Sequence, residues 1–264
     1  MAKFSPQSIL PRLDTQAFGI KLYTFEEVGS TNEVAHELAR NGAPHGTIVI
    51  ADSQTRGKGR LERRWISPPG VNLYISFVLR PHMPIVDVPF ITFTAAIALS
   101  EAISSFGVDS SIKWPNDVLV GGKKVAGILT EAEPDNDKVS FVVLGAGVNI
   151  NMTREMLAAE LGDVAAGATS LLAESGSSID RSHFAVVFIN QMERWYGEFV
   201  NLGKDHIIRE WTRRCGMIGR RVEIRCDDKV LKGTAQGINP SGYLLVKTED
   251  GSTEKVVAGD IVIL

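Results

Sequence analysis

Cysteine is scarce in this 264-residue chain, which has two, Cys215 and Cys226. Two thiols so placed make neither a disulfide framework nor a metal cluster, and they suit a reducing compartment. Charge of one sign is lacking too, with a formal net charge of −3 and an isoelectric point near 6.0. That argues against a dedicated nucleic-acid binder and requires any basic patch to be local. No apolar run approaches the roughly 20 residues that cross a bilayer. The stretch from Met1 to Leu10 has no sustained apolar core and no small-residue cleavage site, so it does not read as a secretory signal. Repeats and low-complexity tracts are missing as well. The sequence therefore predicts a cytoplasmic protein without a membrane span. With 44% hydrophobic and 22% charged residues it has a globular composition, and its length allows one large domain plus a small module.

Basic charge is concentrated between two strand-like runs, Thr47–Ile50 and Asn72–Leu79. There Arg56, Lys58, Arg60, Arg63 and Arg64 stand against the single acid Glu62, a net charge of +4, with Gly57 and Gly59 interleaved. Cations neutralise a polyanion, and glycines let backbone N–H groups approach its oxygens. A plain solvated loop would have the same composition, so the assignment leans on the other motifs.

Ahead of the loop, Lys21–Phe25 alternates as a strand does, and Gly29-Ser-Thr-Asn-Glu33 follows. Ser30 and Glu33 have the spacing of a capping box, which predicts a helix with Val34, Ala35, Leu38 and Ala39 on one face, ending near Asn41-Gly42. Residues 1 to about 20 read as a leader wrapped onto the body. Downstream, Phe90–Phe106 has helical spacing of apolar residues and predicts a core helix. A short strand enters Lys113-Trp-Pro-Asn-Asp117, where Pro115 biases Trp114 towards an extended backbone. Lys113, between Ile112 and Trp114, is expected to be partly desolvated, which suits an anion partner. Asn116-Asp117 reads as a turn.

Gly121-Gly122 predicts a hairpin, with Lys123–Glu131 as the returning strand and Pro134–Asp137 as the next turn. The strand Val139–Leu144 then leads into Gly145-Ala-Gly-Val-Asn149, two glycines expected just past the strand. Helical patterns cover 154–161, 168–174 and 181–201, and a shorter one carries Ile207, Ile208 and Trp211. From about Met217 the texture changes to five short strands, with turns at Asp227-Asp228, Asn239–Gly242 and Glu249–Gly251. The expected division is residues 1–216 and a barrel-like module at 217–264.

Taken in this order and spacing, Gly29-Ser-Thr-Asn32, the Gln-x-x-Gly-x-Gly-Arg loop from Gln54, Lys113-Trp-Pro-Asn-Asp117, Lys124-Val-Ala-Gly-Ile128 and Gly145-Ala-Gly-Val-Asn149 resemble the biotin–protein ligases. The resemblance runs from Tyr23 to Leu264. It implies an α+β fold: a mixed sheet with helices like the class II aminoacyl-tRNA synthetase core, then a small SH3-like barrel. It also implies a biotin–[acetyl-CoA-carboxylase] ligase that forms biotinyl-5′-AMP from biotin and ATP, with Mg2+. Biotin then passes to a lysine of a biotin carboxyl carrier protein or domain.

Carried over position by position, the resemblance gives Lys113 and Arg60 catalytic roles and implies no dedicated metal ligands. Ser30, Thr31, Asn32 and Gln54 would serve biotin, together with Gly57, Lys58, Arg60, Lys113, Gly127, Gly145 and Gly147. Lys58, Arg60, Arg63, Trp65, Asn116, Lys124 and Asn149 would serve ATP. Two positions depart from the family pattern: Lys58 stands where arginine is usual, and Glu62 where glycine is common. The short leader predicts a ligase without DNA-binding repressor function, and a homodimer through a sheet edge is permitted. The loop is expected to be mobile when empty and to order over the acyl-adenylate. Among rivals, a lipoate–protein ligase shares the chemistry, whereas the Gly-Lys-Gly-Arg loop and terminal module favour biotin. An octanoyl transferase would need a cysteine nucleophile earlier in the chain. A non-catalytic biotin or adenylate sensor would not need Lys113, and no helix-turn-helix supports a DNA binder.

Overall fold

A computed structural model describes residues 4–226 and 229–264. The turn expected at Asp227-Asp228 therefore lies outside the described residues. In chain order the elements begin with the short helix α1 (Pro6–Ile9), strand β1 (Leu22–Val28), helix α2 (Thr31–Arg40) and strands β2 (Thr47–Gln54) and β3 (Leu73–Leu79). Helix α3 (Pro89–Ser104) leads to β4 (Ser111–Lys113), β5 (Asp117–Val120), β6 (Lys123–Asp135) and β7 (Lys138–Val148). Four helices follow: α4 (Arg154–Leu161), α5 (Leu171–Ser175), α6 (Arg181–Leu202) and α7 (Lys204–Arg214). Five strands close the chain: β8 (Arg221–Cys226), β9 (Lys229–Ile238), β10 (Leu244–Thr248), β11 (Thr253–Val256) and β12 (Asp260–Ile263).

The first seven strands make one mixed sheet in the order β1-β2-β3-β7-β6-β5-β4, in which β1 and β2 run parallel and the other neighbours antiparallel. The last five make a separate antiparallel sheet in the order β11-β10-β9-β8-β12. This α+β architecture, with a terminal SH3-like unit, is the fold expected from the sequence.

Alternation along the strands sorts the large sheet into two faces. Leu73, Ile75, Phe77 and Leu79 of β3, with Val142, Leu144, Ala146 and Val148 of β7, enter the main core with α3 and α6. Val78, Phe141 and Val143 point the other way and pack under Ala35 and Ala39 of α2. The second face is thinly covered, by one helix and the loops. α3 buries residues all round, Phe90, Ala95, Leu99 and Ile103 among them. Contrary to the expectation from the sequence, the helical segment Ile85–Ser104 is long and apolar enough to cross a membrane by length and composition. From Phe90 onward most of its side chains are buried in the core, whereas Ile85 and Val86 are exposed. The leader also joins that core: Ile9 and Phe18 are buried in it, and Arg181 lies over the Phe4 ring at 4.6 Å.

Several local expectations are corrected. The strand expected to end at Leu144 continues to Val148, so Gly145 and Gly147 lie within β7 as paired residues. Pro134 belongs to β6 rather than to a turn, at a register shift beside Glu133. Ser30 occupies the N-cap of α2, yet its side chain makes no capping bond. Gln54 takes that office from β2, its Oε1 accepting from Thr31 N at 2.8 Å. Glu33 is drawn away to Lys58, 2.9 Å off, because a charged partner outcompetes the neutral N–H of the capping box.

Candidate active site

On the thinly covered face of the large sheet, glycine is placed where neighbouring strands meet. Gly127 of β6 pairs with Gly147 of β7, and Gly145 pairs with Leu129 on one side and Ser76 on the other. Missing side chains on adjacent strands leave a floor instead of a packed layer, and a cavity of about 380 Å³ opens above it. That is within the usual range for a small-molecule site, about 300–1,000 Å³. A Cβ on Gly145 would fall 2.0 Å from Asn32 Oδ1, and one on Gly147 would fall 2.4 Å from Trp65 Nε1. Asn32 and Trp65 thus rest on the glycine floor. Lys124 Nζ stands 5.3 Å from the Trp65 ring centroid, and the indole N–H is buried without a hydrogen-bond partner.

At one end of the floor the N-terminus of α2 supplies small polar groups. Ser76 Oγ lies 2.8 Å from Thr31 Oγ1 and 2.6 Å from Asn32 Oδ1, while Asn32 Nδ2 donates to Glu131 Oε2 at 2.7 Å. Gln54 joins Thr31 to Ser67, donating to Ser67 Oγ at 2.9 Å. Ser30 borders the cavity, buried, with its hydroxyl uncommitted to a cap. This end offers a few fixed donors and acceptors, suited to a neutral polar head group.

Cations gather at the other end. Lys113 of β4 sits opposite Asp117 of β5 in the hairpin register, and Asp117 Oδ1 is 2.6 Å from Lys124 Nζ. The Asp117 carboxylate therefore lies among Lys113 and Lys124. Desolvation holds Lys113 below the ordinary lysine value; Asp117 opposes that shift and Lys124 adds to it. Arg60 reaches in from the loop and donates to Asn116 Oδ1 at 3.1 Å, and Asn116 Nδ2 in turn donates to Ile128 O at 2.7 Å. Burial likewise lowers Arg60, with Asp117 opposing. A guanidinium remains charged in any case.

The loop itself is a folded excursion. Trp65 N donates to Gly57 O and Gly59 N to Arg63 O, at 2.9 and 2.7 Å. Gly57 is hemmed in, since a Cβ there would stand 2.4 Å from Trp65 O. At the tip, Leu61 and Glu62 adopt φ of 54° and 57°. A left-handed backbone at a non-glycine residue costs about 1–2 kcal/mol. This gives a physical reason for glycine at the position where the family pattern has it and this chain has Glu62.

The structure brings nearly all the sequence-derived site residues to this one cavity. Gly57 alone stands behind the lining, in the loop's base. Asn149 borders the cavity, but its amide donates to Thr169 O at 3.0 Å, so it holds the wall together. Three carboxylates beside the site were not assigned to it from sequence: Asp117, Glu33 and Asp260. Asp117 was readable only as a turn residue, and the other two meet the loop through contacts distant in sequence. Among the described residues no group of three His, Cys, Asp or Glu side chains could hold a metal ion.

Comparison with known proteins bears on this geometry. Residues 24–149 match the biotin/lipoate A/B protein ligase family, and residues 217–264 match the biotin protein ligase C-terminal domain. The chain is 37% identical over 260 residues to the bifunctional ligase/repressor BirA of Bacillus subtilis, covering 98% of this chain and 79% of that protein. It is 33% identical over 228 residues to the biotin–[acetyl-CoA-carboxylase] ligase of Paracoccus denitrificans, covering 84% and 92% respectively. Its fold matches the biotin protein ligase of Aquifex aeolicus in complex with biotin and ATP, with a TM-score of 0.77, 26% identity, and coverage of 93% of this chain and 100% of that one. On sequence, on fold and over both sheets, the chain belongs to the biotin protein ligase family, whose members are ligase enzymes.

Proposed function

We propose that this protein activates biotin with ATP as biotinyl-5′-AMP and then transfers the biotinyl group to a lysine of a biotin carboxyl carrier protein or domain. One observation carries the reading: a glycine floor with neutral polar groups at one end runs into Lys113, Lys124 and Arg60 at the other. The ureido head of biotin suits Ser30, Thr31 and Gln54, and its carboxylate would then lie towards the cations. In the first step a carboxylate oxygen bonds to the α-phosphorus and pyrophosphate leaves. Two anions must meet, so fixed cations that need no reorganisation lower the barrier. Lys113 and Arg60 are assigned that role, and Lys124, already held by Asp117 beside Trp65, is placed to act with them. In the second step the carrier lysine amine attacks the activated carbonyl and AMP leaves with the bonding electrons.

Residues 1–216 are read as the catalytic unit and 217–264 as its terminal barrel. Relatives named as acetyl-CoA-carboxylase ligases support a carboxylase carrier as partner, and the complex of the Aquifex aeolicus protein supports ATP as the nucleotide. Lipoate is the alternative acid, since the matching family model spans both ligases; the match of 217–264 to a biotin ligase domain favours biotin. A thiol route is disfavoured at Cys215, whose burial pushes its thiol up to about 11. Of the loop's cations, Lys58, Arg60, Arg63 and Arg64 line the cavity, which favours a small anionic ligand over DNA as their partner. The test is ATP–pyrophosphate exchange with biotin or lipoate, in wild type and in Lys113→Ala. Exchange with biotin that falls about a hundred- to a thousandfold in the variant is expected. Exchange with lipoate alone would overturn the substrate, and exchange with neither acid would leave a sensor.

A further inference from the structure

The cation loop is anchored on two carboxylates that belong to other elements. At its base, Glu33 of α2 takes Lys58 at 2.9 Å and Arg56 at 3.2 Å. Beyond its tip, Arg63 forms a two-pronged pair with Asp260, the first residue of β12; Nη1 donates to Oδ1 at 2.8 Å and Nη2 to Oδ2. Asp260 also borders the cavity, within electrostatic reach of Arg60 and Lys113. Its backbone is fixed by pairing with Arg225 of β8, so the carboxylate is presented by the terminal sheet rather than by a free tail. Between the two anchors lie Leu61 and Glu62 in their left-handed conformations, which favour release of the loop if either end is let go.

We propose that Asp260 is a positioning residue for the cation loop: it holds Arg63 over the cavity from the terminal sheet, so that nucleotide capture depends on that sheet. The part concerning the nucleotide rests on the proposed function; the anchoring itself does not. Both side chains are roughly half exposed, at 61% and 49%. Such a pair is weak and salt-sensitive, so it can organise the loop without locking it against substrate entry or product release. The bond to Arg63 also holds Asp260 below the ordinary carboxylate range, so the carboxylate that anchors the loop is charged at neutral pH.

The test reads the loop directly in the full-length protein. Limited trypsin digestion with mass mapping follows cleavage after Arg60 and Arg64 in wild type, Asp260→Arg, Asp260→Ala and the charge swap Arg63→Asp/Asp260→Arg, each checked for native circular dichroism. Cleavage about two- to fivefold faster in both single variants, and back to the wild-type rate in the swap, is expected. Unchanged cleavage in the single variants, or no recovery in the swap, would overturn the anchoring. Biotin-dependent exchange then reads the consequence. Asp260→Ala should raise KM for ATP with kcat retained, and Asp260→Glu should restore it; an unchanged KM would overturn the dependence of capture on the terminal sheet. If wild type shows no exchange with any acid while the cleavage pattern holds, the proposed function fails and the anchoring stands.

Discussion

Lys113 is a cation kept in a place that disfavours cations. Its value is lowered chiefly by desolvation, with Lys124 adding to the shift and Asp117 and Asp260 opposing it. A lysine shifted down on folding binds fewer protons folded than unfolded, between its lowered value and the ordinary 10.5. Below that window protonated Lys113 carries its full desolvation cost, and the cost is relieved as pH rises through it. Catalysis has the opposite dependence, because the charged form is the one that offsets carboxylate and phosphate repulsion. Exchange activity should therefore fall as pH rises through the lowered value, earlier than an ordinary lysine would require. Lys113→Arg keeps its charge at every accessible pH. The pH profile of kcat/KM in that variant should lose its alkaline limb, whatever the absolute rate. A limb that stays in place would assign it to another group.

Strands β6 and β7 shape the site through the side chains they omit, at Gly127, Gly145 and Gly147. On Gly147 a methyl group would overlap Trp65, 2.4 Å from Nε1 and 2.5 Å from Cε2. Gly147→Ala should lift the indole off the floor, cost about 1–3 kcal/mol of stability, raise KM for ATP and shift tryptophan emission. Gly197 is the control, in α6 with open space around its Cα. Gly197→Ala should stabilise by roughly 0.5–1 kcal/mol and leave KM alone. If both variants behave alike in KM, the floor is not where the nucleotide or biotin sits.

The same elements mark how far sequence could reach. The resemblance pointed to Gly127, Gly145 and Gly147 as pocket positions, and the hairpin at Gly121-Gly122 forms as its turn chemistry dictates. Their being cross-strand neighbours within one sheet was not readable, because register is fixed by pairing between distant strands. The capping box at Ser30 failed for a related reason. Its local spacing was correct, but Gln54 and Lys58, remote in sequence, offered Thr31 and Glu33 better partners. Local signals located the cations; only the fold supplied Glu33, Asp117 and Asp260 as their counter-charges.

At the scale of the molecule, the two sheets share one apolar core. Val222, Ile224, Ala235, Leu244, Val246 and Ile261 of the terminal sheet fall in the same buried cluster as Phe93 of α3 and Trp211 of α7. Trp114, which closes the strand carrying Lys113, donates its indole N–H to Gly242 O at 3.1 Å. A unit of about 50 residues buries too little of its own surface to be robustly stable alone. Its apolar side chains gain most where they join the larger core, so melting the terminal sheet would expose part of that core as well. Calorimetry should therefore show one transition, with calorimetric and van't Hoff enthalpies in agreement. Trp114→Phe removes the bridging hydrogen bond while keeping an aromatic ring, at a cost of about 1 kcal/mol. For a chain of this size that corresponds to a Tm lower by about 2–4 °C, again in a single peak. A separate low-temperature peak, in wild type or variant, would mean that the terminal sheet melts by itself. The loop would then lose its Asp260 anchor below the temperature at which the catalytic sheet unfolds, and exchange activity would fade at the lower peak. A single peak ties the loop's anchor to the stability of the whole fold.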